Sequence, residues 1–135
     1  MSFVLDIAVV SAWLIDSQST AYSATIAERL QEDRAVAPPL LALEFTNVLR
    51  TACKRQGIVA AQAQEALSLL ARLPVDIDAE KPDPPKILDL ALRYDLTSYD
   101  AAYLDLALRR RLPIASQDTA LAAAARIAGV GVVVA

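Results

Sequence analysis

The chain has 135 residues, 56% of them hydrophobic, with 13 basic and 16 acidic side chains and a formal net charge of −3. This predicts one compact domain, 1–135, that buries roughly two thirds of its unfolded surface, and the acidic balance argues against a generic polyanion binder while allowing local basic patches. There is no histidine and one cysteine, Cys53, which excludes His-based acid/base chemistry, Ser-His-Asp triads, the usual zinc sites and an intramolecular disulfide, and agrees with a reducing, cytoplasmic setting.

In chain order, the apolar opening FVLDIAVVSAWLI lacks a basic flank and carries Asp6 inside the run, so it reads as fold rather than as a signal peptide. Short β-rich runs recur at FVLD, AVAP, PVDI, LPIAS and VGVVVA. Between them, helical periodicity predicts helices over 9–15, 20–33, 39–55, 60–72, 84–94, 98–110 and 118–128. The alternation predicts an α/β fold, a parallel sheet covered by helices on both faces. KPDPP, from Lys81 to Pro85, reads as a loop entering a helix, because Pro84 and Pro85 suit a first turn. No apolar run is long enough to suggest a membrane span.

Four acids stand out. With Ser98 at zero on a helical wheel, Asp105 and Arg109 fall beside it on the polar stripe of helix 98–110, where they can pair in solvent. Asp100 lies at about 200°, flanked by Tyr103, Leu104 and Ala107 on the apolar face. It also fits a capping box, TSYD, with Thr97 as N-cap, so structural and functional readings both stand. Glu44 sits at about 40° from Leu40, amid Leu41, Phe45, Val48 and Ala52. It therefore points inward with no basic residue of its helix in the sector except Arg55, and Asn47 is the neighbour available to orient it. Asp6 ends the first strand pattern and can close a strand-to-helix turn, and Asp118, which follows the LPIAS strand, or Ser116 can cap the last helix.

Strand ends and the helix starts that follow them line the ligand crevice of an open parallel sheet. Acids gathered there repel one another unless a cation intervenes, and oxygen-only ligands select a hard ion such as Mg²⁺ or Mn²⁺. Such an ion can lower the pKa of a bound water and stabilise charge on a phosphodiester.

VLDIAVVSAWL, APPLLALEFTNVLR, LTSYDAAYLDLA and LPIASQDTAL, in that order across nearly the whole chain, resemble the PIN-domain ribonucleases of the VapC toxin type. The resemblance implies a three-layer α/β/α sandwich with a central parallel sheet, and a Mg²⁺-dependent endoribonuclease site carried by Asp6, Glu44, Asp100 and Asp118, with Ser116 in support. It also implies an RNA substrate, a cognate antitoxin protein and a toxin homodimer. On that basis Asp6 and Asp100 are direct metal ligands, Asp118 a ligand directly or through water, and Glu44 a ligand or the base that orients attacking water.

One departure is Ala8, where the family usually carries Ser or Thr two residues after the first acid. A hydroxyl that would hold that acid or a metal-bound water is missing, which favours the alternative of a catalytically weak or inactive module that binds a protein partner. Retention of all four acids argues against a degenerate site. A phosphoacceptor receiver expects adjacent acids after the first strand and a lysine after the last, and neither is found. Lys54, Arg55, Arg109, Arg110 and Arg111 are candidate phosphate contacts or solvated helix ends, while Tyr99, Tyr103 and Trp13 read as core or interface rather than as base-stacking platforms.

Overall fold

The computed structural model describes every residue except Asp16, Ser17, Gln56 and Ala135. The elements run β1 (Ser2–Leu5), α1 (Ile7–Leu14), α2 (Ala21–Arg29), β2 (Arg34–Ala37), α3 (Leu41–Lys54), α4 (Ala60–Arg72), β3 (Val75–Ile77), α5 (Pro84–Tyr94), α6 (Ser98–Arg110), β4 (Ile114–Ala115) and α7 (Thr119–Ile127). The strands form one parallel sheet in the order β3-β2-β1-β4. Val4 is paired with Val36 on one side and with Ile114 on the other. Phe3, Val4, Leu5, Ala35, Val36, Ala37, Ile114 and Ala115 are all buried, as expected of parallel strands covered on both faces. This is the α/β/α sandwich that the alternating pattern predicts.

The chain steps outward from β1 through β2 to β3, then crosses back to place β4 on the other flank of β1. The reversal puts the topological switch point between β1 and β4, where a crevice opens at the strand ends. Helix α6 lies against β1 on one side and α5 on the other. Its residues Ala101 to Ala107 are consecutively buried, with alanines letting Ile87 and Leu90 of α5 approach closely.

Two expected elements differ. Helix 20–33 stops at Arg29, and residues 30–32 close with backbone bonds to the third residue before them, so the chain turns in time to enter β2. The last strand, VGVVVA, is reduced to a single bridge between Val132 and Ile114, because β4 is only two residues long and offers little edge to pair with; its final residue lies outside the described residues.

Candidate active site

Each of the four acids lies at the start of a helix. Asp6, immediately after β1, is the N-cap of α1 and accepts from Val9 N at 3.0 Å. Asp118, three residues beyond β4, is the N-cap of α7 and accepts from Leu121 N at 2.9 Å. Glu44 and Asp100 occupy the first turns of α3 and α6. Each acid therefore lies at the positive end of a helix dipole, which eases the presence of negative charge there.

Ser116 joins two of these positions. Its hydroxyl donates to Asp6 Oδ2 and accepts from Asp118 N at 3.0 Å, so the acid after β1 and the acid after β4 share one side chain. Asp6 is thereby fixed at 2% exposure even though residue 8 is alanine.

Glu44 is held differently. Its carboxylate accepts from the Tyr103 hydroxyl at 2.6 Å, and Tyr103 itself is fully buried. Asn47, expected to orient Glu44, is exposed and forms no hydrogen bond to it; the orienting group comes from α6 instead. A buried tyrosine ring needs a partner for its polar tip. Since the helical wheel already places Tyr103 on the face of Asp100, that need was the signal by which the pairing could have been found.

Thr97 caps α6 by accepting from Asp100 N at 3.1 Å. The reciprocal bond of the expected capping box, from Thr97 N to the Asp100 carboxylate, does not form, and the Thr97 hydroxyl is the group beside that carboxylate.

The electrostatics tie the groups together. Burial pushes the Asp6 carboxyl up to about 6, against the bonds from Ser116 and Val9, and the charges of Asp118 and Asp100 push in the same direction. Burial also raises Asp100, as does Asp118, with the Thr97 hydroxyl partly offsetting both. Glu44 is raised by burial and by Asp100, against the bond from Tyr103. Burial and the adjoining Glu44 carboxylate hold the Tyr103 phenol far above its ordinary value, so it stays a donor. Among the described residues, none of the four acids forms an ion pair.

An all-oxygen set of carboxyls without a cation, with Asp6, Glu44 and Asp100 raised, fits a hard divalent ion in charge and donor type. It is not a ready-made ligand shell: among the described residues, no three acidic, histidine or cysteine side chains are grouped closely enough to hold a metal.

Other expected positions are corrected. Asp105 and Arg109 do pair, at 2.8 Å, but not in solvent: Asp105 is 2% exposed. The polar stripe of α6 is covered by Lys86 of α5 and by Asp78 and Glu80 beyond β3, which a wheel of one helix cannot reveal. Arg109 and Arg110 are committed to these carboxylates, and Arg109 stands about 14 Å along the helix axis from Asp100, so neither is available to a phosphate at the acids. Trp13 packs against the core and donates from Nε1 to Ser23 O at 2.6 Å. Tyr99, by contrast, is 62% exposed beside the acids.

A parallel three-layer sandwich with acids at the switch point of its sheet defines a class, the α/β proteins that bind ligands at strand ends. Within it the particular family is plain: residues 3–127 match the PIN domain, and the chain belongs to the PIN-domain family, closely related to its VapC-type members. It is 37% identical over 97 residues to ribonuclease VapC1 of Mycobacterium tuberculosis in two strains, covering 70% of this chain and 71% of the relative. Its fold matches the crystal structure of PAE2754 from Pyrobaculum aerophilum, with a TM-score of 0.71, 23% identity, and 92% and 84% of the two chains covered. It also matches VapBC2 from Rickettsia felis bound to a DNA fragment from their promoter, with a TM-score of 0.69, 12% identity, and 98% of each chain covered.

Proposed function

We propose that this chain is a single-domain, Mg²⁺- or Mn²⁺-dependent endoribonuclease acting as the toxin of a toxin-antitoxin pair. The observation that carries the reading is the convergence of Asp6, Glu44, Asp100 and Asp118 on four helix starts at the switch point, with Asp6, Glu44 and Asp100 raised by burial and by neighbouring charge and none of the four paired with a cation. Such a site favours a divalent cation over an empty state. The similarity to a protein named ribonuclease VapC1 supports the choice of RNA as substrate.

A bound ion of this kind supplies charge neutralisation at a phosphodiester and a water of lowered pKa. Asp6, Asp100 and Asp118 are the proposed ligands. Ser116 and Val9 N fix Asp6 so that it needs no reorganisation, a task that falls to Ser116 in the absence of a hydroxyl at Ala8. Tyr103 occupies one oxygen of Glu44, leaving the other to join the ligands or to take a proton from the attacking water. An antitoxin partner, a homodimer and a cytoplasmic location belong to the same proposal. Among the described residues no helix is long and apolar enough to cross a membrane.

RNA cleavage by the purified protein tests the reading. Wild type should cleave in Mg²⁺ and lose cleavage in chelator; Asp100→Asn should lose at least a hundredfold, while Asp105→Asn should keep its rate per folded molecule. Equal losses in both variants, or no saturable Mn²⁺ or Mg²⁺ binding by titration calorimetry, would sink it in favour of a non-catalytic interaction module.

A further inference from the structure

Next to the acids the surface opens into a pocket of about 310 Å³ that shares Glu44 as a wall and is bounded by Leu40, Leu43, Asn47 and Tyr99. Leu43 is 75% and Tyr99 62% exposed, so an aromatic ring and an aliphatic side chain flank a space larger than one planar base. The Asn47 amide is exposed at its rim, with no hydrogen-bond partner among the described residues.

Leu43 and Asn47 begin a stripe. On α3, residues 43, 47, 50 and 54 are spaced by four, three and four and share one face. Arg50 and Lys54 therefore follow the pocket along the same face, about 4.5 and 10 Å further down the axis. Both are exposed, and neither forms an ion pair among the described residues, unlike Arg109 and Arg110. On a chain of net charge −3 these are two uncommitted cations on the helix that carries Glu44.

We propose that α3 is the track for the substrate strand: the nucleotide next to the scissile phosphate places its base against Tyr99 and Leu43, with Asn47 at its edge, and the phosphates beyond it run past Arg50 and Lys54. The inference rests on the ribonuclease reading and adds to it a direction for the strand and a base subsite. Its chemistry is that of single-stranded nucleic-acid binders, in which an aromatic face carries an unstacked base and a basic stripe follows the backbone. A helix-stabilising role at the C-terminal end of α3 would account for Lys54 alone, through the helix dipole, but not for its alignment with a pocket that opens on Glu44.

The test measures binding and cleavage separately. Binding of a short labelled single-stranded RNA is followed by fluorescence anisotropy in Mg²⁺ in the Asp100→Asn background, and cleavage of the same RNA is followed with Asp100 intact. Adding Tyr99→Ala should weaken binding about tenfold, Tyr99→Phe should restore it, and an RNA abasic at the subsite should erase the difference. Adding Arg50→Ala with Lys54→Ala should lower the slope of log affinity against log salt by about 1.4, the value for two contacts to a single strand. All these side chains are exposed, and circular dichroism checks that each variant is folded. Unchanged affinity and slope in every variant, with wild type still cleaving, would overturn the track and leave the ribonuclease reading intact. The expected binding differences without cleavage by wild type would strike at that reading alone. Altered self-association in Leu43→Ala or Tyr99→Ala, with RNA binding unmoved, would assign the surface to a second copy of the chain and also overturn the proposal.

Discussion

At the C-terminal end of α6, Asp105 and Asp78 are buried with guanidinium groups against them, whereas at its N-terminal end Asp100 meets Asp6, Glu44 and Asp118 with no cation among the described residues. Arg109 reaches Asp105 and Asp78 at 2.8 Å each and Glu80 at 2.5 Å, and Arg110 reaches Asp78 at 2.7 Å. Lys86 Nζ stands 3.5 Å from Asp105 Oδ1, near enough for charge attraction although that oxygen has no hydrogen-bond partner among the described residues. Burial alone would raise Asp78, but the bonds from Arg109 and Arg110 outweigh it and hold the carboxyl below its usual range. Asp6, as little exposed but set deeper in the protein, moves the opposite way. Depth and the lack of a cation both raise Asp6, whereas two guanidinium groups pull Asp78 down. One cluster joins α6 to the segment after β3; the other stores charge that a ligand can relieve.

The comparison can be broken first at Arg109. Arg109→Ala leaves two buried carboxylates short of a partner and should cost about 3 kcal/mol of stability in urea unfolding, with RNA cleavage per folded molecule unchanged. Arg109→Lys should not rescue it, because one ammonium cannot reproduce the fork that bonds three acids. A loss below about 0.5 kcal/mol would mean that the cluster is only surface decoration.

The opposite sign is expected at Asp6. Its carboxyl rises from 3.8 to about 6 on folding, so between these values the folded chain holds a proton that the unfolded chain has released. Stability without metal should therefore fall as pH rises through that window, by up to about 3 kcal/mol, and return as pH is lowered again. Asp6→Asn should remove this slope, gaining stability over wild type at neutral pH in chelator but not near pH 4. Parallel pH profiles for the two proteins would refute it.

Tyr103→Phe, which deletes the single bond to Glu44, should cost about 1 kcal/mol in chelator and leave the fold intact, as circular dichroism and thermal melting would register. The smallest effect belongs to Glu44→Gln. It keeps an acceptor for Tyr103 while removing a half-buried charge, so melting temperature in chelator should rise by a few degrees at most, and the stabilisation given by Mg²⁺ should shrink. A large loss of stability would move Glu44 from the acid site to the scaffold.

Much of the framework could be read from local chemistry. Helices 84–94 and 98–110 match to the residue because Pro84 and Pro85 open one and Thr97 caps the other. The four acids were found by combining helical phase with strand ends, and the structure puts each at a helix start. What escaped was non-local. The stripe holding Asp105 and Arg109 looks solvated until α5 and the segment after β3 cover it, and the donor to Glu44 lies 59 residues away. VGVVVA has strand composition, yet pairing requires a neighbour's free edge, and two residues of β4 provide one bridge. Arg109 and Arg110 are counted among possible phosphate contacts because sequence shows a cation without its partner, while Arg50, on the open face of α3, is not among them.

The Ser116 hydroxyl has a consequence for the order of events during synthesis. It spans 110 residues to Asp6, and its partner loop docks only when β4 takes its place beside β1. At about 5–20 residues per second a ribosome needs roughly 5–20 s to travel from one to the other. Throughout that interval the nascent chain carries Asp6, and then Glu44 and Asp100, without the side chain that clamps the first acid. A newborn molecule therefore lacks that clamp until β4 pairs with β1, late in synthesis.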